Sequence, residues 1–277
     1  MIMKISASDV KKLRDMTGAG MMDCKKALME SDGDFEKAIE YLRKKGQKLA
    51  TKRADRDATE GCVIAVVNDA HNKGVIVKLS CETDFVSKND DFVNLTKQFA
   101  DIALKNFPAD LEAFLALPFD DKISVGEKVI EQIGVIGEKL ELAYENLEAA
   151  QVAPYIHMGN KAGVLVGLNK DNADFFDAGR DVAMQVAAMK PLALNKDGVD
   201  ASIVEKEIEI GKEQARQEGK PEAMLEKIAL GKLNKFFREN TLVDQKFVKD
   251  NKLTVAQYLQ SFDKDLAATG FKHVTLG

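Results

Sequence analysis

Two similar apolar runs, each beginning with a glycine, stand at corresponding places in the two halves of this chain. They are residues Gly74–Val77 and Gly163–Val166. Each run follows another strand-like run across a turn, and each precedes a segment whose apolar residues have helical spacing. A hairpin followed by a helix, occurring twice, favours an α+β fold. We therefore predict two related α+β subdomains with antiparallel sheets, at residues 55–148 and 149–277.

The first part of the chain has the pattern of three short helices, within residues 6–48. Ser6 with Asp9 three positions later is typical of a helix N-cap, and the glycines of Thr17–Gly20 interrupt the apolar spacing. Three short helices bury little apolar surface by themselves, so residues 1–54 are predicted to be a docking module. The polar stretch 49–60 is predicted to be a linker.

A helical hairpin is predicted inside the second subdomain, at about residues 201–237. Apolar residues with helical spacing lie on both sides of Gly219–Pro221, and charged residues occupy the other positions. A narrow apolar seam of this kind is typical of an antiparallel coiled coil. After it, the sequence predicts a short helix following Thr254 and a closing strand that includes Phe271 and Thr275.

Charge is distributed unevenly along the chain. Residues 1–53 contain 13 Lys and Arg against 8 Asp and Glu, and the remainder contains 27 against 37. A basic segment can indicate nucleic-acid binding, but here the basic residues alternate with acids and no aromatic residues are interleaved with them. A protein partner with an acidic surface explains the pattern at least as well, and we expect no direct contact with nucleic acid.

The expected compartment is the cytoplasm, with no membrane contact. No apolar run reaches the length of a membrane span, and the first residues lack the apolar centre of a signal peptide. The three cysteines, Cys24, Cys62 and Cys81, are odd in number and far apart. They predict a reducing environment and no disulfide framework.

The stretch Cys81–Lys88 lies between a strand-like run and a helix-like run, and its Phe85 allows two interpretations. In the first, Phe85 folds back into the core and Asp84 caps the next turn. In the second, Phe85 is an exposed anchor that enters a pocket of another protein, and Asp84 acts on charge beside it.

Residues that would carry catalysis are hard to find. The sequence has no G-x-x-x-x-G-K-[ST] phosphate loop, and its three histidines do not have metal-ligand spacing with any cysteine. We therefore expect no catalytic residue, no metal and no cofactor. An enzyme that uses a Cys81–His157 pair, or an acid pair such as Asp90 and Asp91, is kept as a rival interpretation.

Three motifs, in order along the chain, carry a resemblance to a known family. They are Leu13–Leu28 with its Thr17–Met22 centre, Thr83–Val86 flanked by Cys81 and Lys88, and Tyr155–His157 followed by Gly159 and Gly163–Val166. The first two are long and specific. Together they resemble the signatures of the bacterial elongation factor Ts family, and the resemblance covers essentially the whole chain.

The resemblance implies a guanine-nucleotide exchange factor for elongation factor Tu in translation elongation. Such a factor binds elongation factor Tu with GDP, disturbs its Mg²⁺ site and promotes GDP release so that GTP can bind. It makes and breaks no covalent bond. The implied fold is a ubiquitin-associated-like three-helix module, two α+β subdomains and a coiled-coil hairpin.

The resemblance also implies which residues act. Thr83, Asp84, Phe85 and Val86 match the element that dislodges Mg²⁺ from the partner. Contacts to the partner are expected at Thr17, Gly18, Met21, Met22, Lys25, His157, Met158 and Gly159. The complex is expected to contain one or two copies of each protein, and a non-catalytic adaptor is the alternative function.

Overall fold

Two three-stranded antiparallel sheets lie at the centre of the protein. A computed structural model describes residues 5–277, except the side chain of Met158. The strands are β1 (Glu60–Val67), β2 (Lys73–Cys81), β3 (Glu141–Glu148), β4 (Gln151–His157), β5 (Ala162–Leu168), β6 (Lys246–Phe247), β7 (Asp250–Thr254) and β8 (Ala268–Thr275). The order is β1-β2-β3 in the first sheet and β4-β5-β8 in the second, with β6-β7 as a small separate pair.

Helices precede, separate and cover the strands. They are α1 (Ala7–Thr17), α2 (Met21–Glu30), α3 (Phe35–Lys52), α4 (Asp84–Ser87), α5 (Asp90–Asn106), α6 (Leu111–Ala116), α7 (Val125–Ile136), α8 (Ala173–Met189), α9 (Ala201–Gln217), α10 (Glu222–Asn240) and α11 (Val255–Gln260). The mixed α+β class with small antiparallel sheets, as predicted, is therefore confirmed. In the described part of the chain, 5–277, no helix has both the length and the apolar character needed to cross a bilayer.

The two sheets pack face to face, and this explains the glycines that begin the repeated runs. The buried residues between the sheets are Val63, Ala65, Ile76, Val152 and Leu165. A Cβ atom on Gly163 would lie 2.9 Å from Val63 Cγ1, and one on Gly74 would lie 2.9 Å from Leu165 Cδ2. A side chain at either position would push the sheets apart, because interiors are packed without such spare room.

Each sheet has its own helical cover on the outer face. Helix α5 packs on β1 and β2 through Phe92 and Phe99, which join a core with residues of α6 and α7. Helix α8 packs on β4 and β5 through Val182 and Val186. Each predicted hairpin is therefore followed in the chain by the helix that covers its sheet, as the repeated order indicated.

Helices α1, α2 and α3 form a small cluster of their own, and the predicted N-cap is present. The Asp9 N–H donates to Ser6 Oγ at 3.1 Å, and the Ser6 N–H donates to Asp9 Oδ2 at 3.2 Å. Gly18 ends α1 in the left-handed conformation with φ 70°, which a glycine adopts without steric cost. The three predicted helices are therefore confirmed, around a core that includes Leu13 and Leu28.

The prediction that the linker starts at residue 49 is wrong, because α3 continues to Lys52. Leu49 and Ala50 pack against the core of the first sheet. The same helix crosses α7 closely: a Cβ atom on Gly46 would lie 2.7 Å from the Ile130 carbonyl oxygen. The connection to β1 is thus confined to residues 53–59.

The predicted helical hairpin is confirmed as α9 and α10, which pack along one another. Its buried seam consists of Gly211, Ala215, Leu225, Ala229 and Leu233. The predicted helix after Thr254 and the closing strand correspond to α11 and β8. The β6-β7 pair was not predicted from the sequence, since its strands of two and five residues are too short to establish an alternating pattern.

Candidate functional site

The side chain of Phe85 projects into solvent from α4, a single turn of helix directly after β2. It is 86% exposed, whereas Cys81 at the end of β2 is completely buried and Val86 packs against the core of the first sheet. The interpretation in which Phe85 folds back into the core is therefore wrong. The ring is therefore available for contact with another molecule.

Two backbone N–H groups and one hydroxyl hold the start of α4 to a single carboxylate. Glu138 Oε2 accepts from the Glu82 and Thr83 N–H groups, each at 3.0 Å, and Glu138 Oε1 accepts from the Thr83 hydroxyl at 2.7 Å. Thr83 is the N-cap residue of α4, but its hydroxyl makes no capping bond to the helix. Of the four residues predicted to act on Mg²⁺, Thr83 therefore faces inward.

Glu82, immediately before this turn, is the centre of a second network. Its Oε1 accepts from Arg53 at 2.6 Å and from the Lys139 N–H at 2.6 Å, and its Oε2 accepts from Arg56 at 2.9 Å. Burial alone raises the pKa of this carboxyl, but the Lys139 N–H and the two guanidinium groups outweigh burial and lower the pKa to about 2. Glu82 is thus ionised at every physiological pH.

Replacing Glu82 with glutamine is expected to lower the free energy of unfolding at neutral pH by about 2 kcal/mol, since hydrogen bonds to a charged group are lost. The folded-state pKa of about 2 lies below the ordinary value of 4.5. The stabilisation by wild-type Glu82 is therefore complete above pH 4.5 and is lost as the pH falls toward the folded-state pKa.

Urea unfolding of both proteins from about pH 7 to about pH 3 measures this difference. The difference in the free energy of unfolding between wild type and Glu82→Gln should become smaller across the acidic half of this pH range. Glu141→Gln, which removes a more exposed acid paired with Lys139, is the matched control and should show a small gap. A Glu82→Gln gap that does not depend on pH would contradict the assignment.

Asp84 carries a partner of its own. Lys88 Nζ lies 2.7 Å from Asp84 Oδ2, and the hydrogen bond from Lys88 lowers the pKa of the Asp84 carboxyl. Both groups are solvent-exposed enough for this pair to open at little cost. Asp84 therefore presents a negative charge beside Phe85 that can exchange its lysine for a different cation or donor.

Phe85 lies between two clefts, and the clefts bring the predicted site segments together. The first has a volume of about 690 Å³ and is lined by Asp84, Phe85, Lys88, Gly159 and Lys161, among others. The second has a volume of about 440 Å³ and is lined by Gly18, Phe85, Val86, Phe92 and Val135, among others. One surface thus joins the turn after α1, the Phe85 turn and the turn between β4 and β5.

The predicted contact residues of the first helices divide into two groups. Met22 is 75% exposed and Met21 is 49% exposed at the start of α2, and Lys25 is exposed on the same helix. Thr17 is half-buried, and its hydroxyl donates to the Leu13 carbonyl at 2.8 Å and accepts from the Ala19 N–H at 3.3 Å. The two methionines are therefore available to a partner, and Thr17 stabilises the end of α1.

The turn between β4 and β5 presents His157 to solvent. Tyr155 Oη and His157 Nδ1 lie 3.2 Å apart, and His157 is exposed. His157 is therefore not packed in the core. Gly159 follows with φ 73° in a short 3₁₀ turn, and the side chain of Met158 lies outside the described part of the structure.

The rival interpretation with a catalytic cysteine does not fit the geometry. Cys81 is fully buried, and its thiol donates to the Thr83 carbonyl at 3.2 Å. Burial, together with the nearby charge of Glu138, raises the pKa of this thiol to about 12. A protonated, buried thiol is a poor nucleophile. Residues 5–277 also contain no cluster of three or more His, Cys, Asp or Glu side chains that could hold a metal ion.

Sequence reasoning missed the residues that support the site, namely Arg53, Glu82, Glu138 and Lys139. Their contacts join positions 29 to 57 residues apart in the chain, and no local periodicity reports such pairings. The one available signal was the acidic residue directly before Thr83, which adds charge to a turn that already contains Asp84.

Comparison with known proteins gives one consistent result. The sequence model described as Elongation factor TS matches residues 82–277. The elongation factor Ts of Christiangramia forsetii is 56% identical over 275 residues, covering 99% of both chains. That of Flavobacterium psychrophilum is 56% identical over 274 residues with the same coverage, and that of Cytophaga hutchinsonii is 54% identical over 274 residues, covering 98% of this chain and 99% of the relative. The chain therefore belongs to the elongation factor Ts family.

Proposed function

We propose that this member of the elongation factor Ts family is a guanine-nucleotide exchange factor that inserts Phe85 into elongation factor Tu and disturbs its Mg²⁺ site. The observation that carries the proposal is the 86% exposure of Phe85 on a turn whose backbone is fixed by Glu138. A rigid support with an exposed aromatic tip is the form expected of an anchor, since little side-chain and loop freedom is lost on binding.

The physical basis of exchange is the charge of bound GDP. Its phosphates are held by backbone N–H groups, a lysine and Mg²⁺, so loss of the cation leaves phosphate charge poorly compensated. A factor promotes release only by binding the nucleotide-poor state better than the GDP-bound state. By linkage, GDP weakens binding of the factor by the same amount that the factor weakens binding of GDP.

The expected size of the effect agrees with one aromatic anchor. Each tenfold increase in release rate requires a barrier lower by about 1.4 kcal/mol, and a buried anchor contributes about 2–4 kcal/mol. Asp84 would act beside the anchor: its negative charge would interact with the groups that hold Mg²⁺ in the partner. No covalent bond is made or broken in such a reaction, and the buried, protonated Cys81 is consistent with this.

The proposed division of labour follows the parts of the chain. Residues 1–54 are the docking module, of the ubiquitin-associated-like kind, and residues 55–148 and 149–277 are the two α+β subdomains. The hairpin at about residues 201–237 is an antiparallel coiled-coil insertion in the second subdomain. The proposed complex is cytoplasmic, contains one or two copies of each protein, and involves neither nucleic acid nor membrane.

Met22→Glu is expected to raise the factor concentration needed for half-maximal GDP release by about tenfold, since interface anchors commonly exceed 1 kcal/mol. Met22 is 75% exposed, so the melting temperature of the Met22→Glu variant should equal that of the wild type. Titration of the release rate against factor concentration measures this. Met29→Glu, at the far end of the same helix and also exposed, is the control. Equal effects of the two substitutions would contradict docking through the start of α2.

His157→Ala is expected to slow exchange about two- to fivefold, the size of one hydrogen bond to a partner. The melting temperature should not change, because His157 is exposed. Tyr155→Phe removes the 3.2 Å contact to His157 but keeps the imidazole, so it serves as the control and should exchange faster than His157→Ala. A large fall in the melting temperature of His157→Ala would assign this residue to the fold.

The alternative is an adaptor that binds elongation factor Tu without altering it. One assay separates the two: labelled GDP is bound to elongation factor Tu, and this chain is added at a concentration well below that of the complex. An exchange factor turns over and releases all of the GDP, whereas an adaptor leaves the intrinsic rate unchanged. The second outcome would overturn the proposal.

A further inference from the structure

Glu82 and Glu138 form a reciprocal brace beneath the Phe85 turn. The Glu82 N–H donates to the Glu138 carboxylate at 3.0 Å, and the N–H of Lys139, the residue after Glu138, donates to the Glu82 carboxylate at 2.6 Å. Each segment therefore caps the other across the fold. With the two further bonds from Thr83, every hydrogen bond of this brace is accepted by a carboxyl oxygen of Glu82 or Glu138.

We propose that Glu138 is a positioning residue for exchange, which sets the direction of Phe85 by holding the Glu82–Thr83 backbone. Glu138 is 55 residues from Thr83 in the chain, so only the fold brings it to the Phe85 turn. Glu138 hydrogen-bonds the backbone of the turn that carries Phe85, so its effect on the partner passes through Phe85. The inference rests on the proposed exchange function and adds a residue to it.

The brace also connects the Phe85 turn to α3 and to the residues that follow it. Glu138 and Lys139 follow Gly137, the C-cap residue of α7, and α7 packs against α3 at Gly46. Arg53, the C-cap residue of α3, donates to the same Glu82 oxygen as the Lys139 N–H. Lys139 Nζ in turn donates to the Ala54 and Arg56 carbonyl groups, each at 2.8 Å. The docking helices and the anchor are thus held by one set of bonds.

The hydrogen bonds from Glu138 affect exchange because they fix the geometry of the Phe85 turn. An anchor accelerates a reaction when its bound geometry is already present in the free protein, and a small displacement can lower the rate by orders of magnitude. Thr83 has no capping bond of its own to α4. Without Glu138, the turn would therefore lose its three fixed contacts at once, while the buried strand before it would keep its sheet partners.

The test is the rate of GDP release from elongation factor Tu at saturating factor, for full-length variants. Glu138→Ala removes all three contacts, and the rate is expected to fall about tenfold. Glu138→Gln should retain the rate within about threefold, because its amide oxygen can accept both N–H groups and its amide nitrogen can donate to Thr83. Glu127→Ala, which removes the N-terminal capping acid of α7, is the control for general destabilisation and should leave the saturating rate unchanged.

Two further measurements keep the proposal falsifiable. In a Phe85→Ala background, Glu138→Ala should have no additional effect on the saturating rate, since no ring remains to be positioned. In the free proteins, the Glu82 and Thr83 amide protons should exchange faster in Glu138→Ala, while those of α5 stay protected. If Glu138→Ala does not fold, Thr83→Val, which removes one of the three bonds, takes its place and should slow release about threefold.

Three outcomes would overturn the proposal. One is a wild-type saturating rate from Glu138→Ala, and another is an equal slowing by this substitution with and without Phe85. The third is a saturating rate from Glu127→Ala as low as that from Glu138→Ala. If the wild-type chain itself leaves GDP release unchanged, the proposed exchange function fails and this inference fails with it, which is a distinct result.

Discussion

Phe85→Ala is expected to slow stimulated GDP release from elongation factor Tu by at least about 30-fold, the lower end of an aromatic anchor's contribution. The melting temperature of the free protein should not change. Phe85 is 86% exposed, so its truncation leaves no cavity, whereas a core phenylalanine would cost about 3–5 kcal/mol.

Two further phenylalanines make this prediction specific. Phe262→Ala removes another exposed ring, 44% accessible and distant in sequence from the site, and should leave release unchanged. Phe114→Ala removes a completely buried ring and should lower the melting temperature strongly. A Phe85→Ala protein that releases GDP at the wild-type rate, or that melts like Phe114→Ala, would contradict the anchor.

Gly46→Ala is expected to lower the stability of the protein by about 1–3 kcal/mol, the usual cost of overpacking. The added Cβ would lie 2.7 Å from the Ile130 carbonyl oxygen of α7, a backbone atom that cannot move aside by a rotamer change. Helix α3 must therefore shift away from α7. The midpoint of urea unfolding measures the loss.

Gly231→Ala is the matched control for this change. Gly231 also lies inside a helix, but no atom is within 4 Å of its added Cβ. Alanine is the better helix former, so this variant should be more stable than wild type by about 0.5–1 kcal/mol. If Gly46→Ala were stabilised to the same extent, the close contact of α3 with α7 would not hold the first helices in place.

Local signals in the sequence predict most of the secondary structure, because they act over a few residues. The Ser6–Asp9 capping box, the glycine that ends α1 and the two hairpins are of this kind. The polar composition of residues 49–60 indicates a linker and therefore places the end of α3, which lies at Lys52, too early. Leu49 lies among charged residues in the sequence but packs on the first sheet in the fold.

The site itself could be predicted only in part. The sequence allows Phe85 to be either a core residue or an exposed anchor, and the structure shows that its side chain lies in solvent. The supporting carboxylate could not be found, since Glu138 is 55 residues from Thr83 in the chain. What brings the two together is the end of α7, whose position depends on its packing against α3 and the first sheet.

The Mg²⁺ dependence of GDP release tests the proposed mechanism most directly. Stopped-flow release of labelled GDP from elongation factor Tu is measured at low and at high Mg²⁺, with the wild-type chain and with the Asp84→Ala/Phe85→Ala double variant. The single variants should combine non-additively, because adjacent residues act at one site. Asp84→Ala alone should weaken the complex less than Phe85→Ala.

High Mg²⁺ should oppose the wild-type chain more strongly than the double variant, because only the wild type destabilises the bound ion. A wild-type chain whose stimulated release falls steeply with Mg²⁺, beside a double variant that shows little further loss, is the result that the mechanism predicts. Parallel Mg²⁺ dependences for the two proteins would contradict it, since Phe85 and Asp84 would then act without disturbing the cation.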